Sequence, residues 1–207
     1  MSKSVTRGSV TRRGVMRVSG KLAAACLLGN QALRPAAAQD LGSLGALRPL
    51  PAGTHLPPIR FFSPSGEAMT LADYRGQGIV LNLWATWCGP CVAELPTLQQ
   101  LALHLAGDGI VVLPVSSDAG GAPTVRAFYD SHGIDHLPVL TDPHGAILSA
   151  WNIPGIPTTV IFDRAGIPRA RLIGGADWGT AEAAKLVRSY AGPRVGAASA
   201  HAGTVRL

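Results

Sequence analysis

The most constraining feature of the sequence is a close pair of cysteines at the end of a long apolar run. Residues 79–85 are almost continuously apolar, which is typical of a strand buried on both faces of a sheet. The run ends at the motif WCGPC (residues 87–91), after which apolar residues recur at helical spacing as far as residue 105. The pattern predicts a strand that leads directly into a helix, with both cysteines at the junction.

The basic residues are concentrated at the start of the chain. The 207 residues carry a formal charge of +6, but seven of the 18 Lys and Arg residues precede residue 39, and no Asp or Glu precedes Asp40. Without residues 1–38 the chain has 11 basic and 12 acidic residues, a formal charge of about −1. The charge therefore gives no reason to expect a nucleic-acid partner for the folded part.

Residues 1–38 have the features of an export signal peptide. A basic stretch is followed by a short, mostly apolar segment over residues 22–33 and by three alanines at 36–38, small residues of the kind that signal peptidase accepts. Residues 11–16 resemble the twin-arginine signal of bacterial export. General secretion is the close alternative, and a cytoplasmic arm or an uncleaved membrane anchor are further ones. We expect a periplasmic protein.

The rest of the chain divides into a linker over 39–55, one folded domain over 56–192 and a flexible tail over 193–207. The linker is rich in Leu, Pro and Gly without a clear period, and the tail in Ala, Gly and Ser. Within the domain, a short hairpin is followed by strands alternating with helices, and then by a closing hairpin and helix. This order predicts an α/β fold with a mixed sheet and helices on both faces.

The cysteine pair could be a structural staple, half of a metal site or a redox couple. Cys26 lies in the predicted signal peptide, so Cys88 and Cys91 are the only thiols of the mature part. Closing so short a loop restricts the unfolded chain by only about 2 kcal/mol, which makes a staple a weak explanation. The histidines considered as zinc partners lack the paired spacing of structural zinc sites; they are His55, His104, His132, His136 and His144. The pattern favours a redox couple, with no metal and no cofactor.

The strand-to-helix junction makes Cys88 the expected nucleophile. Unpaired N–H groups and the dipole at the start of a helix stabilise a thiolate and lower the pKa of its thiol. Cys91 lies one helical turn further along, within bonding reach but more enclosed, so it can resolve a mixed disulfide formed on Cys88. The predicted catalytic pair is therefore Cys88 and Cys91.

These residues resemble the thioredoxin superfamily and, within it, the exported TlpA- and ResA-like thiol-disulfide oxidoreductases. The resemblance rests on residues 80–91 and on residues 155–158, where superfamily members carry a cis-proline that faces the cysteines. It implies a thioredoxin-like mixed central sheet flanked by helices, with an N-terminal β-hairpin and a βα insertion over 139–151 before the cis-proline. It also implies substrate contacts for Trp87, Gly89, Pro90, Ile156 and Pro157.

Two polar positions resemble the ResA-like branch of the superfamily more than thioredoxin itself. Thioredoxin has a buried Asp where this chain has Asn82, which cannot take a proton from the resolving thiol. Glu94 matches the acidic residue of ResA-like proteins, and burial would raise its pKa to a range suited to proton exchange with Cys91; the alternative is a solvated Glu near a helix start. Residues 175–178 also resemble TlpA relatives, but a helix-capping Asp177 beside a packing Trp178 is a sufficient explanation for them.

The resemblance also implies a direction of electron transfer and a set of partners. Gly89 and Pro90 form the dipeptide found in thioredoxin, so we expect a protein-disulfide reductase. Implied partners are a membrane thiol-electron carrier of the CcdA or DsbD type and, as client, apocytochrome c or a copper-site assembly protein. The alternatives are a peroxiredoxin, whose peroxidatic Cys normally follows a Pro and a Thr, and a copper metallochaperone that uses the cysteine pair as soft ligands.

Overall fold

The computed structural model describes residues 42–194, so the predicted export signal lies outside the described range. Among the described helices, none is long and apolar enough to cross a lipid bilayer. The strands are β1 (Arg48–Pro49), β2 (Phe61–Phe62), β3 (Ala68–Met69), β4 (Gly78–Trp84), β5 (Ile110–Ser116), β6 (Leu140–Thr141), β7 (Thr158–Phe162) and β8 (Pro168–Ile173). The α-helices are α1 (Gly89–His104), α2 (Gly121–His132), α3 (Ala146–Ala150) and α4 (Ala181–Ala191), and 3-10 helices cover Leu44–Ala46 and Leu71–Tyr74.

The strands form one mixed sheet in the order β1-β8-β7-β4-β5-β6-β2-β3. β4 lies in the middle, parallel to β5 and antiparallel to β7. β5 and β6 are also parallel, whereas β7 and β8 form the predicted closing hairpin. The mixed sheet with flanking helices is the predicted fold class, and it puts the ends of β4, β5 and β6 at one edge, where parallel strands deliver functional loops.

Two apolar cores cover the two faces of the sheet. All seven residues of β4 are buried, which is why its sequence is apolar without alternation. Val80 and Trp84 point into the first core with residues from α1, α2 and α4. Leu81 and Leu83 point into the second, which contains Phe61 of β2 and residues of the α3 region. The strand period of two therefore distributes one continuous apolar run between two cores.

The helix after the cysteine motif begins and ends where its sequence predicts. Cys88 is the N-cap of α1, and Pro90 follows in its first turn, a position that tolerates the missing N–H. Pro96 lies inside α1, and because it has no N–H it removes one i to i−4 hydrogen bond from the helix. α2 ends at Gly133, which adopts a left-handed conformation with φ of 66°.

The predicted βα insertion is present between α2 and β7. It consists of β6, which extends the sheet beside β5, and the short helix α3. The Asp142 carboxylate, at the end of β6, accepts hydrogen bonds from the N–H groups of Ala146 and Ile147 and so starts α3.

Part of the predicted linker over 39–55 belongs to the folded domain, which corrects the sequence-based boundary. Arg48 and Pro49 pair with β8, Leu50 N–H donates to Arg169 O at 2.8 Å, and Leu47 is buried. A two-residue edge strand that contains proline has no apolar period, so composition alone does not reveal it. At the other end, Arg194 of the predicted tail over 193–207 donates to Asp108 O; residues 195–207 lie outside the described residues.

Candidate active site

Cys88 and Cys91 form a disulfide at the junction between β4 and α1. Their Cα atoms are 5.2 Å apart, as the one-turn spacing requires. Cys88 is 7% exposed and Cys91 is 0% exposed. A sulfur from another molecule can therefore reach the pair only through Cys88, the order of access that the sequence predicts.

The surroundings of the Cys88 sulfur favour a negative charge. Its Sγ accepts a hydrogen bond from Cys91 N–H at 3.3 Å, across the open first turn of α1. Backbone N–H groups at a helix start stabilise a thiolate both as donors and through the helix dipole. This N–H group therefore lies where it would stabilise a thiolate on Cys88, the predicted nucleophile.

The loop before β7 brings a second segment to the cysteines. The peptide bond between Ile156 and Pro157 is cis, as the resemblance implies. Ile156 O lies 3.7 Å from Cys88 Sγ, and Pro157 O accepts from Gly174 N–H at 2.8 Å, which ties the loop to the end of β8. The cis-proline loop thus forms one wall of the site and leaves a backbone edge beside the reactive sulfur.

The predicted substrate-binding residues surround Cys88. Trp87 is 71% exposed, the largest exposure among the large apolar side chains of the described residues, and Gly89 and Pro90 are exposed at the start of α1. Ile156 is half-buried and Pro157 is buried. The fold therefore brings all five together around Cys88, although their contacts with a substrate stay a prediction.

Glu94 is a fully buried carboxyl in the same helix as the cysteines. It follows Cys91 by three residues, so both lie on one face of α1. Its Oε2 accepts from Ala176 N–H at 3.0 Å and its Oε1 from Asn82 Nδ2 at 2.6 Å. Burial raises the pKa of Glu94 to about 7, against these hydrogen bonds, which lower it. The alternative of a solvated Glu is wrong, because Glu94 is 0% exposed.

Asn82 contacts Glu94 from the adjacent strand. It lies in β4 and is completely buried. Its Nδ2 donates to Glu94 Oε1 and also to Thr159 Oγ1, the latter at 3.0 Å. The amide cannot exchange a proton at neutral pH, but it orients the carboxyl that can.

The segment over residues 175–178 has a role that its residue types do not predict. Ala176 N–H holds Glu94, and Trp178 is buried in the first core. Asp177 does not cap α4, since its Oδ1 accepts from Gly179 N–H and Thr180 caps the helix instead. The sequence signal was the likeness of this segment to TlpA relatives; the donor itself is a backbone group, which no residue type reveals.

The described residues include no group of three or more His, Cys, Asp and Glu side chains arranged to hold a metal ion. The geometry supports thiol-disulfide exchange: an accessible sulfur with a charge-stabilising N–H, an enclosed second sulfur, and a buried carboxyl with a pKa near neutrality.

A family model described as the AhpC/TSA family matches residues 52–171, more than half of the chain. The chain belongs to the AhpC/TSA family. Among the curated relatives of this AhpC/TSA member, the thioredoxin-like protein YneN of Bacillus subtilis is 34% identical over 116 residues, covering 56% of this chain and 67% of YneN. The thiol-disulfide oxidoreductase ResA of Geobacillus kaustophilus is 33% identical, covering 55% of this chain and 64% of ResA. The match thus spans about two thirds of each relative.

Solved structures share the fold of this AhpC/TSA member. A secreted thiol-disulfide isomerase from Corynebacterium glutamicum is 25% identical with a TM-score of 0.57, covering 70% of this chain and 89% of that one. A thiol:disulfide interchange protein of the thioredoxin family from Chlorobium tepidum is 25% identical with a TM-score of 0.55, covering 70% and 98%. The predicted thioredoxin-like fold and the class of thiol-disulfide oxidoreductases are confirmed.

Proposed function

We propose that the protein is an exported thiol-disulfide oxidoreductase that reduces disulfide bonds in exported client proteins. The observation that carries this proposal is the asymmetry of the pair, in which Cys88 keeps 7% exposure at a helix start, whereas Cys91 is fully enclosed on the helix face that carries Glu94. A structural disulfide gains nothing from such an arrangement, whereas a two-step exchange needs one accessible and one protected sulfur.

The first step joins the protein to its client. The Cys88 thiolate attacks one sulfur of the client disulfide, the client S–S bond breaks, and a mixed disulfide forms on Cys88. The departing client sulfur leaves as a thiolate and takes a proton from solvent. The exposed Trp87 and the backbone edge at Ile156 are the surfaces against which an extended client segment lies.

The second step releases the client. Cys91 loses its proton to Glu94 and attacks Cys88 Sγ, so the mixed disulfide breaks and the second client sulfur leaves as a thiolate. Two electrons have then passed from the cysteine pair to the client, and the disulfide between Cys88 and Cys91 has formed. A carboxyl with a pKa of about 7 accepts and returns a proton readily near neutral pH.

The reducing direction is supported by the dipeptide between the cysteines. Gly89 and Pro90 are the residues found in thioredoxin, whose potential is about −270 mV. We expect the Cys88/Cys91 couple to have a potential within about 50 mV of this value, measured by equilibration with glutathione or dithiothreitol buffers. A potential near −120 mV, typical of strong oxidants, would reverse the proposed direction.

The site of action and the partners are part of the proposal. The basic and apolar pattern of residues 1–38 supports export to the periplasm by the twin-arginine or general secretory route, with an uncleaved anchor as the alternative. Re-reduction then requires a dithiol donor, for which a membrane carrier of the CcdA or DsbD type is suited. The clients are apocytochrome c or a copper-site assembly protein, which ties the protein to cytochrome c maturation or oxidase assembly.

The decisive experiment traps the client. A Cys91→Ser variant cannot complete the second step and should accumulate a mixed disulfide between Cys88 and its client in the producing cell, identified by mass spectrometry. The Cys88→Ser variant is the matched control, because it retains one thiol but has no accessible nucleophile. If both variants trap the same few proteins, or neither traps any, the proposed function is wrong.

The two alternatives are separated by activity assays on the same purified protein. The proposed reductase reduces the disulfides of insulin with dithiothreitol as the electron source. A peroxiredoxin would instead consume hydrogen peroxide, although its nucleophile normally follows a Pro and a Thr and Cys88 follows Trp87. A metallochaperone would bind copper(I) in competition with a chelator and leave insulin unchanged.

A further inference from the structure

A second buried carboxylate, Asp118, lies beside the loop that leads into Cys88. β4 and β5 run in parallel up to the pair Trp84 and Ser116, where both strands end. Asp118 follows two residues after the end of β5 and is 4% exposed. No step of the proposed reaction uses it.

The Asp118 carboxylate binds Thr86 at two points. Its Oδ2 accepts from Thr86 N–H at 2.9 Å, and its Oδ1 accepts from Thr86 Oγ1 at 2.7 Å. Because one carboxylate receives both donors of the same residue, the orientation of Thr86 is fixed as well as its position. Only Trp87 separates Thr86 from Cys88.

Further hydrogen bonds join the same two segments. Ser117 donates to Trp84 O through its N–H at 2.9 Å and its Oγ at 3.1 Å. Ser116 Oγ donates to Asp118 Oδ2 at 2.7 Å and accepts from Asp118 N–H at 3.0 Å. Asp118 is therefore held rigidly itself. We call the group formed by Thr86, Ser116, Ser117 and Asp118 the loop clamp.

The direction of the Asp118 side chain distinguishes it from an ordinary helix cap. Asp142 directly follows β6, is also 4% exposed, and uses both oxygens to start α3. Asp118 precedes α2 in the same way, but α2 has no side-chain cap. All three side-chain hydrogen bonds of Asp118 involve Thr86 or Ser116, and within residues 42–194 it forms no ion pair. A buried carboxylate held by hydrogen bonds alone is costly to bury, and here its bonds serve the active-site loop.

We propose that Asp118 is a positioning residue for the exchange reaction at Cys88, acting through Thr86. The turn after β4 is closed by Cys88 N–H donating to Ala85 O at 3.1 Å, so the clamp on Thr86 restrains the middle of that turn. The inference rests on the proposed function, because positioning matters only if Cys88 is the nucleophile.

The clamp affects the chemistry through the place of the Cys88 sulfur. Sγ accepts from Cys91 N–H at 3.3 Å and lies 3.7 Å from Ile156 O. If the turn loosens, Sγ spends less time against the N–H group that stabilises its charge, and less time beside the backbone edge that receives the client. Both the acidity of Cys88 and its rate of attack then fall.

Substitutions at Thr86 test this without changing any charge. Thr86→Val keeps the volume and removes one hydrogen bond of the clamp, whereas Thr86→Ser keeps the hydroxyl. In the reduced Thr86→Val protein we expect the pH midpoint for alkylation of Cys88 to rise by about half a unit or more, and insulin reduction to slow by about tenfold. Thr86→Ser should stay within about twofold of the wild-type rate. Asp142→Asn is the matched control: it loses a buried carboxylate and stability, and both readouts stay unchanged.

If folded Thr86→Val loses stability as Asp142→Asn does but keeps the wild-type midpoint and rate, the clamp is only architectural and the proposal is wrong. Should Thr86→Val fail to fold, folded Asp118→Asn replaces it, with about tenfold slower insulin reduction expected and a wild-type rate contradicting the proposal. A wild-type protein that neither reduces insulin nor shows an acidic Cys88 overturns the proposed function itself, and with it this inference; a failure of the clamp alone leaves wild-type activity intact.

Discussion

Glu94 is the residue whose surroundings matter most for the chemistry. It is a carboxyl without exposure to solvent, and its three-residue spacing from Cys91 places it on the face of α1 that carries the resolving sulfur. Burial favours its neutral form, whereas the donors on Asn82 and Ala176 favour its charged form. Because these effects oppose each other, the pKa of Glu94 lies near neutral pH.

The raised pKa of Glu94 makes stability depend on pH. The pKa is 4.5 in the unfolded chain and about 7 in the folded protein, so the folded state holds the proton more tightly. The resulting stabilisation is complete below pH 4.5 and is lost as the pH rises to about 7. Glu94→Gln should match the wild type near pH 4.5 and exceed its free energy of unfolding by up to about 3 kcal/mol above pH 7. Urea unfolding of the oxidised proteins across this range measures the difference, and a constant difference at every pH would contradict the prediction.

The hydrogen bond from Asn82 should set where Glu94 titrates. Asn82→Leu keeps a similar volume but removes the donor at 2.6 Å, so the pKa of Glu94 should rise by about one unit or more above its wild-type value. The rate at which the second client thiol is released from a mixed disulfide on Cys88 can be measured against pH. The midpoint of this pH profile should shift upward by the same amount.

Thr159→Val is the control for that substitution. It removes the other acceptor of Asn82 Nδ2 and leaves the contact between Asn82 and Glu94 in place. A smaller shift is expected than for Asn82→Leu. Equal shifts in the two variants would mean that the anchoring of Asn82, and not its bond to Glu94, controls the titration.

Among the structural elements, β1 shows how the fold extends towards the start of the chain. It pairs with β8, and just before it Leu47 is buried in the first core. Gly42 forms an isolated bridge with Ala176, the residue whose N–H holds Glu94. Residues 42–50 therefore support the segment that orients the buried carboxyl.

Removal of this segment should cost stability. A protein that begins at Pro51 loses the pairing of β1 and the burial of Leu47, so its free energy of unfolding should fall by about 2 kcal/mol or more relative to one that begins at Gly42. Chemical denaturation of both proteins measures this. Leu47→Ala in the longer protein isolates the side-chain contribution, and equal stability of the two truncated proteins would contradict the role assigned to β1.

Across the whole molecule, the sheet separates two cores with different relations to the site. Cys88 and Cys91 are part of the first core, whereas Phe61 belongs to the second. Leu98 lies four residues after Glu94 on the same face of α1 and in the first core.

Truncations in the two cores should therefore have different chemical effects. Phe61→Ala and Leu98→Ala should each destabilise the protein by about 3 kcal/mol or more. Leu98→Ala opens space one helical turn from Glu94, whereas Phe61→Ala opens space in the other core. Weaker burial in Leu98→Ala should lower the pKa of Glu94 towards 4.5. The pH dependence of stability measures this, and an equal change in both variants would show that the cores are not independent.

The sequence predicted the local parts of this architecture and missed the long-range hydrogen bonds. The apolar run of β4 and the helical spacing of α1 are periodic patterns, which depend only on neighbouring residues. β1 has no such pattern, because two residues with one proline are too few to show a period. The contacts of Glu94 with Ala176 and of Thr86 with Asp118 join residues 82 and 32 positions apart, and only the register of the sheet brings them together.

The burial of Cys91 has a kinetic consequence. Within residues 42–194 only Cys88 gives access to the disulfide. In the proposed exchange, the electron donor and the client must therefore react at the same sulfur atom in alternation. Turnover should follow ping-pong kinetics. A large excess of the electron donor or of the client should inhibit turnover, because each competes with the other for Cys88.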